Sequence, residues 1–430
     1  MPLVKFLLIC LLPVLTLSAC QRAPDISAVA DHRAAVTLLH YFKGALGRNT
    51  KELTRSFNAQ SQRYELKLAL LDDESFKTSI QANLRTGQPP DMYSNWAGAR
   101  TAAIVADLEP LDDIWQQAGL DSHFSADLVR LASEYRGHKY MIPLAKFEAV
   151  MFFNKRVFDA HKLKPPRTWD EFLAICATLK AKGVTPIALG AKDRWPTQFW
   201  FDMLLLRSTP LKFRTQLMQG QVRYDDPRVA AVFARWAHLL EKGYFNADAN
   251  ALGWYKGANE MVFNGTAAMT LMGSWNIDYF SVAPHQWVVG QDYDFFTFPR
   301  IHDDLPQVVL GSIDGLVLPR KAINKQGAKA VMTYLADAQQ QQVFTRSSGT
   351  LAPNMQVPRE AYDQVRQRLF DDFSRSQDFV FCYDLSTPHA VAELGLNAFS
   401  EFVAFPKTYP RILNQLAREA DAYFQANPQP

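Results

Sequence analysis

Hydrophobic and polar positions along the chain follow two periods, one of strands and one of helices. The stretch AAVTLLHYF (34–42) is an apolar run of strand length, and YELKLALL (64–71) alternates as a half-buried strand does. Between them Leu46, Leu53 and Phe57 mark a helix; after them Phe76, Ile80 and Leu84 stand four apart in a second helix that closes at Gly87. The strand-like PDMYSNW (90–96) follows. Further on, Thr168 and Glu171 form a capping box ahead of Phe172, Ile175, Cys176 and Leu179, and Gly183 and Pro186 end that helix. Val229, Val232, Phe233, Trp236 and Leu240 predict another helix from about Pro227 to Lys242, closed by Gly243. Strands alternating with helices predict an α/β protein with doubly wound, mostly parallel sheets. Ligands in such sheets bind beyond the carboxyl ends of the strands, which singles out Tyr41, Phe42, Asn95 and Trp96.

The first residues follow neither period. Met1–Lys5 are the basic end of an apolar stretch, Phe6–Leu17, too short for the roughly 20 residues of a spanning helix and of signal-peptide length. Leu17, Ser18, Ala19 and Cys20 then resemble a bacterial lipobox, which implies cleavage before Cys20 and lipid on its thiol. Residues 1–19 are read as the signal peptide, and 20–33 as anchor and tether to the membrane. A body held this way lies in the periplasm or on the cell surface.

Composition adds mostly exclusions. Hydrophobic residues make up 48% and charged residues 21%, as in ordinary globular proteins, and a net charge of +3 over 430 residues suggests no nucleic-acid partner. Besides Cys10 and Cys20 only Cys176 and Cys382 occur, so no disulfide framework supports the fold, and Cys176 reads as a buried thiol. The nine histidines are dispersed, without metal-ligand spacing, and no metal or cofactor is expected. No nucleophile elbow, phosphate loop or dinucleotide fingerprint is present. Five aspartate doublets, from Asp72 and Asp73 to Asp371 and Asp372, read as solvated turn charges.

Five segments in order give the chain a family likeness: GQPPDMYSNW (87–96), GHKYMIPLAKFEAVMFFNKRVFDAHKLKPPRTWDEFLAICATLKAKGVTPIALG (137–190), NGTAAMTLMGSWNI (264–277), YDFFTFP with GSIDGLVLPRKAINKQGAKAVMTYLADAQQQ, and SSGTLAPN (347–354). Together they resemble the family 1 extracellular solute-binding proteins of ABC importers, the group with maltose-, glucose- and glycerol-phosphate-binding members. The resemblance implies a two-lobe periplasmic-binding-protein fold of type II with a helical tail, an amino lobe of 34–148 plus 290–345, and a carboxyl lobe of 149–289 plus 346–430. It also implies a monomer without catalysis, which closes over a mono- or oligosaccharide and delivers it to importer permease subunits.

Sugars need flat aromatic platforms for their CH faces and directional polar groups for their hydroxyls. The resemblance assigns Glu148 to a crossover carboxylate, Trp275 to a stacking ring, Arg194 and Trp195 to a carboxyl-lobe loop, and His389 to a carboxyl-lobe contact. Trp254 between glycines and Asp314 before Gly315 complete the expected site. Tyr41 and Phe42 stand where many glucose-type members carry two tryptophans. Trp115, Trp169, Trp200, Trp236 and Trp287 read as core. An exported glycan-acting enzyme and a ligand sensor on the same fold are the rival readings.

Overall fold

The structure, a computed structural model, describes residues 33–427 apart from 86 and 283. The signal segment, Cys20 and nearly all of the tether lie outside the described residues. In chain order the strands are β1 (Ala34–His40), β2 (Tyr64–Leu70), β3 (Met92–Trp96), β4 (Glu134–Tyr135), β5 (His138–Lys139), β6 (Met141–Asn154), β7 (Thr185–Ile187), β8 (Ala267–Gly273), β9 (Tyr293–Phe296), β10 (Val308–Val317) and β11 (Asp378–Phe381). β4 and β5 form a small separate hairpin.

Two strands hold the architecture together. β6 pairs through its first half, up to Glu148, with β10, and through its second half, from Ala149, with β8 and β9. β10 likewise begins beside β11 and ends between β3 and β6. Each therefore runs from one lobe into the other. The amino-lobe order is β2-β1-β3-β10-β6; the other lobe adds β8 and β7 on one side of β6 and β9 on its other side. Helix-linked pairs such as β1 with β2 and β1 with β3 are parallel, while the crossover strands enter antiparallel, so each sheet is mixed.

The cores follow the same division. One gathers Val36 to Phe147 with Ile313 to Phe344; the other gathers Ala149 to Leu310 with Leu351 to Ala420. The first change of core falls between Phe147 and Ala149. The second falls between Leu310 and Ile313 and not at residue 290, because β9 pairs with the carboxyl-lobe half of β6 and buries Tyr293, Phe295 and Phe296 there. Phe381 and Leu385 of the later segment return to the amino-lobe core.

Local signals behave as their chemistry requires. Phe76, Ile80 and Leu84 are the buried face of helix Asp73–Arg85. Thr168 and Glu171 form the capping box of helix Trp169–Ala181, whose Phe172, Ile175, Cys176 and Leu179 face inward. Asp226 caps helix Pro227–Glu241, where Leu239 rather than Leu240 is fully buried. Cys176 and Cys382 are both buried free thiols, and Trp115, Trp169, Trp200, Trp236 and Trp287 are all in the cores. Two packed helices, His389–Ala404 and Tyr409–Ala426, form the tail.

Candidate functional site

On the amino-lobe side, Tyr41 follows β1 and Trp96 ends β3. Their rings stack 3.9 Å apart at 9°, with Phe76 edge-on to both. Such spacing suits aromatic contact, and it holds Trp96 flat while leaving it partly exposed. Asp314 lies opposite Trp96 in the β3–β10 ladder, 3% exposed. The Tyr41 hydroxyl and the Asp314 carboxyl interact, yet neither Tyr41 Oη nor Asp314 Oδ1 has a well-formed hydrogen bond among the described residues. Burial raises Asp314 well above the ordinary carboxylate range, and burial together with the Asp314 charge raises Tyr41 as well. Buried polar atoms left this way are costly, and a ligand hydroxyl can satisfy them.

Facing them, the carboxyl lobe presents a cluster of tryptophans. Trp195 lies 5.7 Å from Trp254 and 6.2 Å from Trp275, and Phe199 lies 6.1 Å from Trp275. Trp275 lies over Gly273, where a Cβ would come within 2.1 Å of the indole, so glycine is required for this ring position. Trp275 packs against both cores and meets Phe147 edge-on at 5.2 Å. Lys77 bridges the lobes, with its ammonium 5.8 Å from the Trp96 ring and 6.0 Å from the Trp195 ring. His389, first residue of the tail helix, lines a cavity of about 30 Å³ with Asn95, Trp96, Lys77 and Arg100. That space holds about one water.

Other expected contacts have partners within the protein. Phe42 stacks on His40 and packs edge-on to Phe344, inside the amino-lobe core. The Asn95 amide donates to Thr101 Oγ1 at 2.9 Å. Arg194 reaches Glu393 at 2.9 Å and Asn397 at 2.6 Å, which ties its loop to the tail helix.

Glu148 departs most from expectation. Successive strand residues face opposite ways, and Phe147, not Glu148, meets Trp275. The Glu148 carboxyl lies behind the crossover, among Lys146, Asp372 and Arg375, where Lys146 also sits 4.7 Å over Phe373. Burial first and the Asp372 charge second hold it well above its ordinary range, against the pull of Lys146 and Arg375. Alternation along KFEAV could have identified Phe147. Lys77 and Arg100 carried no comparable signal, since both sit at ordinary polar helix positions.

The lobes also meet at a helix end. Helix Gly44–Gln60 starts at Lys43 without any side-chain cap of its own. Asp278, from the carboxyl lobe, accepts from Ala45 N at 2.9 Å and pairs with Arg48 at 3.2 Å. Separately, Arg100 of the amino lobe pairs with Asp384 at 2.9 Å, both largely buried.

A sequence profile described as "Bacterial extracellular solute-binding protein" matches residues 50–342. The chain belongs to this family. An uncharacterised ABC transporter extracellular-binding protein of Pyrococcus horikoshii is 28% identical over 308 residues, 70% of this chain and 67% of that one. The sn-glycerol-3-phosphate-binding periplasmic protein of Escherichia coli O1:K1 / APEC is 22% identical over 393 residues, covering 86% and 85%. Among solved structures, the bacterial solute receptor AcbH, described as exclusively preferring β-D-galactopyranose, matches with TM-score 0.84 at 24% identity, over 92% of this chain and 99% of that one. The two-lobe fold is thus one that solute receptors use. Membership makes the chain an extracellular solute-binding protein, placed in the periplasm or at the cell surface, in a family of binding proteins rather than enzymes.

Proposed function

We propose that this solute-binding protein captures an uncharged sugar between its lobes and hands it to the permease of an ABC importer, without catalysis of its own. The observation that carries this reading is the opposition of Trp96, stacked on Tyr41, to Trp195, Trp254 and Trp275, with the Tyr41 hydroxyl and Asp314 Oδ1 beside them lacking good partners. Rings for CH faces and acceptors for hydroxyls are what a pyranose needs. Asp314, His389 and Phe147 border that surface, and the permease would read the closed state. Solute receptors with bound sugars among its structural relatives, and AcbH with its galactose preference, support the same class of ligand.

A phosphorylated ligand such as glycerol 3-phosphate fits the cleft less well. Phosphate calls for an unpaired guanidinium or a backbone nest, whereas Arg100 is held by Asp384 and Arg194 by Glu393. The reading also includes a monomer, anchored by lipid on Cys20 after removal of the signal segment.

Thermal unfolding of the full-length protein against mono- and oligosaccharides, polyols and glycerol phosphates tests this directly. A sugar at a hundred times its dissociation constant adds about 2.7 kcal/mol and raises the midpoint by a few degrees. Trp275→Ala should then weaken that sugar at least tenfold in calorimetric titration, as loss of a central aromatic anchor does. A panel in which no sugar responds and glycerol phosphate does, with Trp275→Ala weakening that glycerol phosphate, would overturn the sugar reading.

A further inference from the structure

A second groove, of about 1070 Å³, opens on the carboxyl lobe and shares none of its lining residues with the cavity beside Trp96. Lys164, Arg167, Glu171, Arg207, Phe298 and Arg300 are among its walls. Arg207 is the anomaly. It caps the end of helix Thr197–Leu206 and is 5% exposed, yet it pairs with no carboxylate among the described residues. Its Nε and Nη1 make only long contacts, 3.4 Å to Phe298 O and 3.5 Å to Val308 O, and Nη2 makes none among the described residues.

Arg214 shows how this protein otherwise treats a buried guanidinium. At 3% exposure it donates to Asp202 at 2.7 and 2.9 Å and to Phe381 O at 2.7 Å. Two long carbonyl contacts are all that Arg207 has, so its charge lacks a counter-charge among the described residues and its Nη2 is left for an anion. Burial lowers its pKa to about 10, the response of a cation without a counter-charge.

The groove's other charges point the same way. Lys164 and Arg167 form no ion pair among the described residues, and Arg300 has only an exposed partner, Asp303, at 3.7 Å. Glu171, the one acid in the lining, accepts the backbone N–H of Arg167 and Thr168 on Oε2 at 2.7 and 3.2 Å, stays ionised, and offsets part of the charge of Arg167. Four cations thus border a groove that holds a single carboxylate, an excess of positive charge even with Glu171 ionised.

We propose that this groove is a second ligand site that takes a phosphate group, with Arg207 as the buried anchor and Arg167, Lys164 and Arg300 along the rim. A planar guanidinium donates two parallel hydrogen bonds to a tetrahedral oxyanion, which explains an arginine at the floor. The phosphate can belong to the free inorganic ion or to a phospholipid headgroup, and the chemistry of the site is the same for both. This site is independent of the sugar in the cleft.

Titration of full-length protein in nonionic detergent, once with inorganic phosphate and once with short-chain phosphatidylglycerol, tests the proposal. Saturable heat is expected with at least one of them and not with chloride. Phosphate alone would assign the free ion; lipid alone would assign the headgroup. The rim variant Arg167→Ala with Arg300→Ala, whose changes are at the surface, should weaken binding at least tenfold while its circular dichroism stays unchanged. Arg207→Gln should abolish binding; if it does not fold, the rim variant decides. No saturable response to either titrant, or a rim variant that binds as the parent does, overturns the site. A sugar that fills the cleft should leave phosphate affinity unchanged.

Discussion

At the scale of single residues, two buried acids on neighbouring strands have different uses. Asp314 faces Tyr41 beside the stacked Trp96, so its poorly satisfied oxygen is available to a ligand. Tyr41→Phe removes only the hydroxyl and keeps the stack on Trp96. Folding stability should stay within about 1 kcal/mol, while sugar affinity falls roughly three- to tenfold, the value of one hydrogen bond. Equal affinity for the variant in calorimetric titration would take Tyr41 out of the site. Glu148 lies behind the crossover instead, so Glu148→Gln should leave sugar affinity intact and change the response to pH. Its folded-state pKa is raised well above the ordinary carboxylate value. Below the ordinary value both states hold the proton; above it the unfolded chain releases first, so stability falls as pH rises toward the folded value, by about 1.4 kcal/mol for each pH unit between the two. Urea midpoints at pH 5 and pH 8 should therefore differ less in the variant than in the parent. An unchanged difference would place the Glu148 carboxyl in solvent.

At the scale of elements, the helix Gly44–Gln60 borrows its amino-terminal cap from the other lobe. Caps contribute about 0.5–2 kcal/mol, and a carboxylate there also meets the positive end of the helix dipole. Because Asp278 makes this contact only when the lobes meet, its contribution appears in ligand affinity. Asp278→Ala should weaken the sugar by roughly twofold to thirtyfold, and Asp278→Asn, which keeps an acceptor, should recover part of the loss. Gly44→Ala should act in the same direction, since its φ is +55° and its Cβ would lie 1.8 Å from Asp278 Oδ2. Wild-type affinity in all three variants would show that the latch does not hold the closed form. The helices themselves were legible in the sequence, because the burial of Phe76, Ile80 and Leu84 and the Thr168–Glu171 box are encoded within a few residues. The latch was not legible, because Ala45 and Asp278 are 233 positions apart and only the folded crossovers bring them together. The tryptophans that line the cleft stood out by composition. Phe147 was hidden by its acidic neighbour, since a strand's pleat decides which of two adjacent residues meets Trp275.

At the scale of the whole molecule, two cores are joined by β6 and β10, so the lobes rotate by bending those strands, the segment near Phe344–Leu351 and the segment of Phe381–Leu385, which also passes between the cores. The contacts across the cleft, Asp278 to Ala45 and Lys77 between Trp96 and Trp195, exist in the protein itself and stabilise closure before any ligand adds to it. A ligand shifts such an equilibrium only by its difference in affinity for the two states. A sugar touching both Trp96 and Trp275 has that difference, because the two rings belong to opposite sides of the cleft. Those same contacts bridge the cleft, so a sugar reaches rings on both sides only when the lobes part. Small-angle scattering should therefore give a free protein whose radius of gyration exceeds that calculated from this structure, and saturation with the sugar should bring the two together. Asp278→Ala should lie further open when free and still close when saturated, since the sugar's contacts to Trp96 and Trp275 are untouched. Identical scattering with and without sugar would mean that the closed form is already dominant. The ligand's binding energy would then go into affinity alone rather than into moving the lobes.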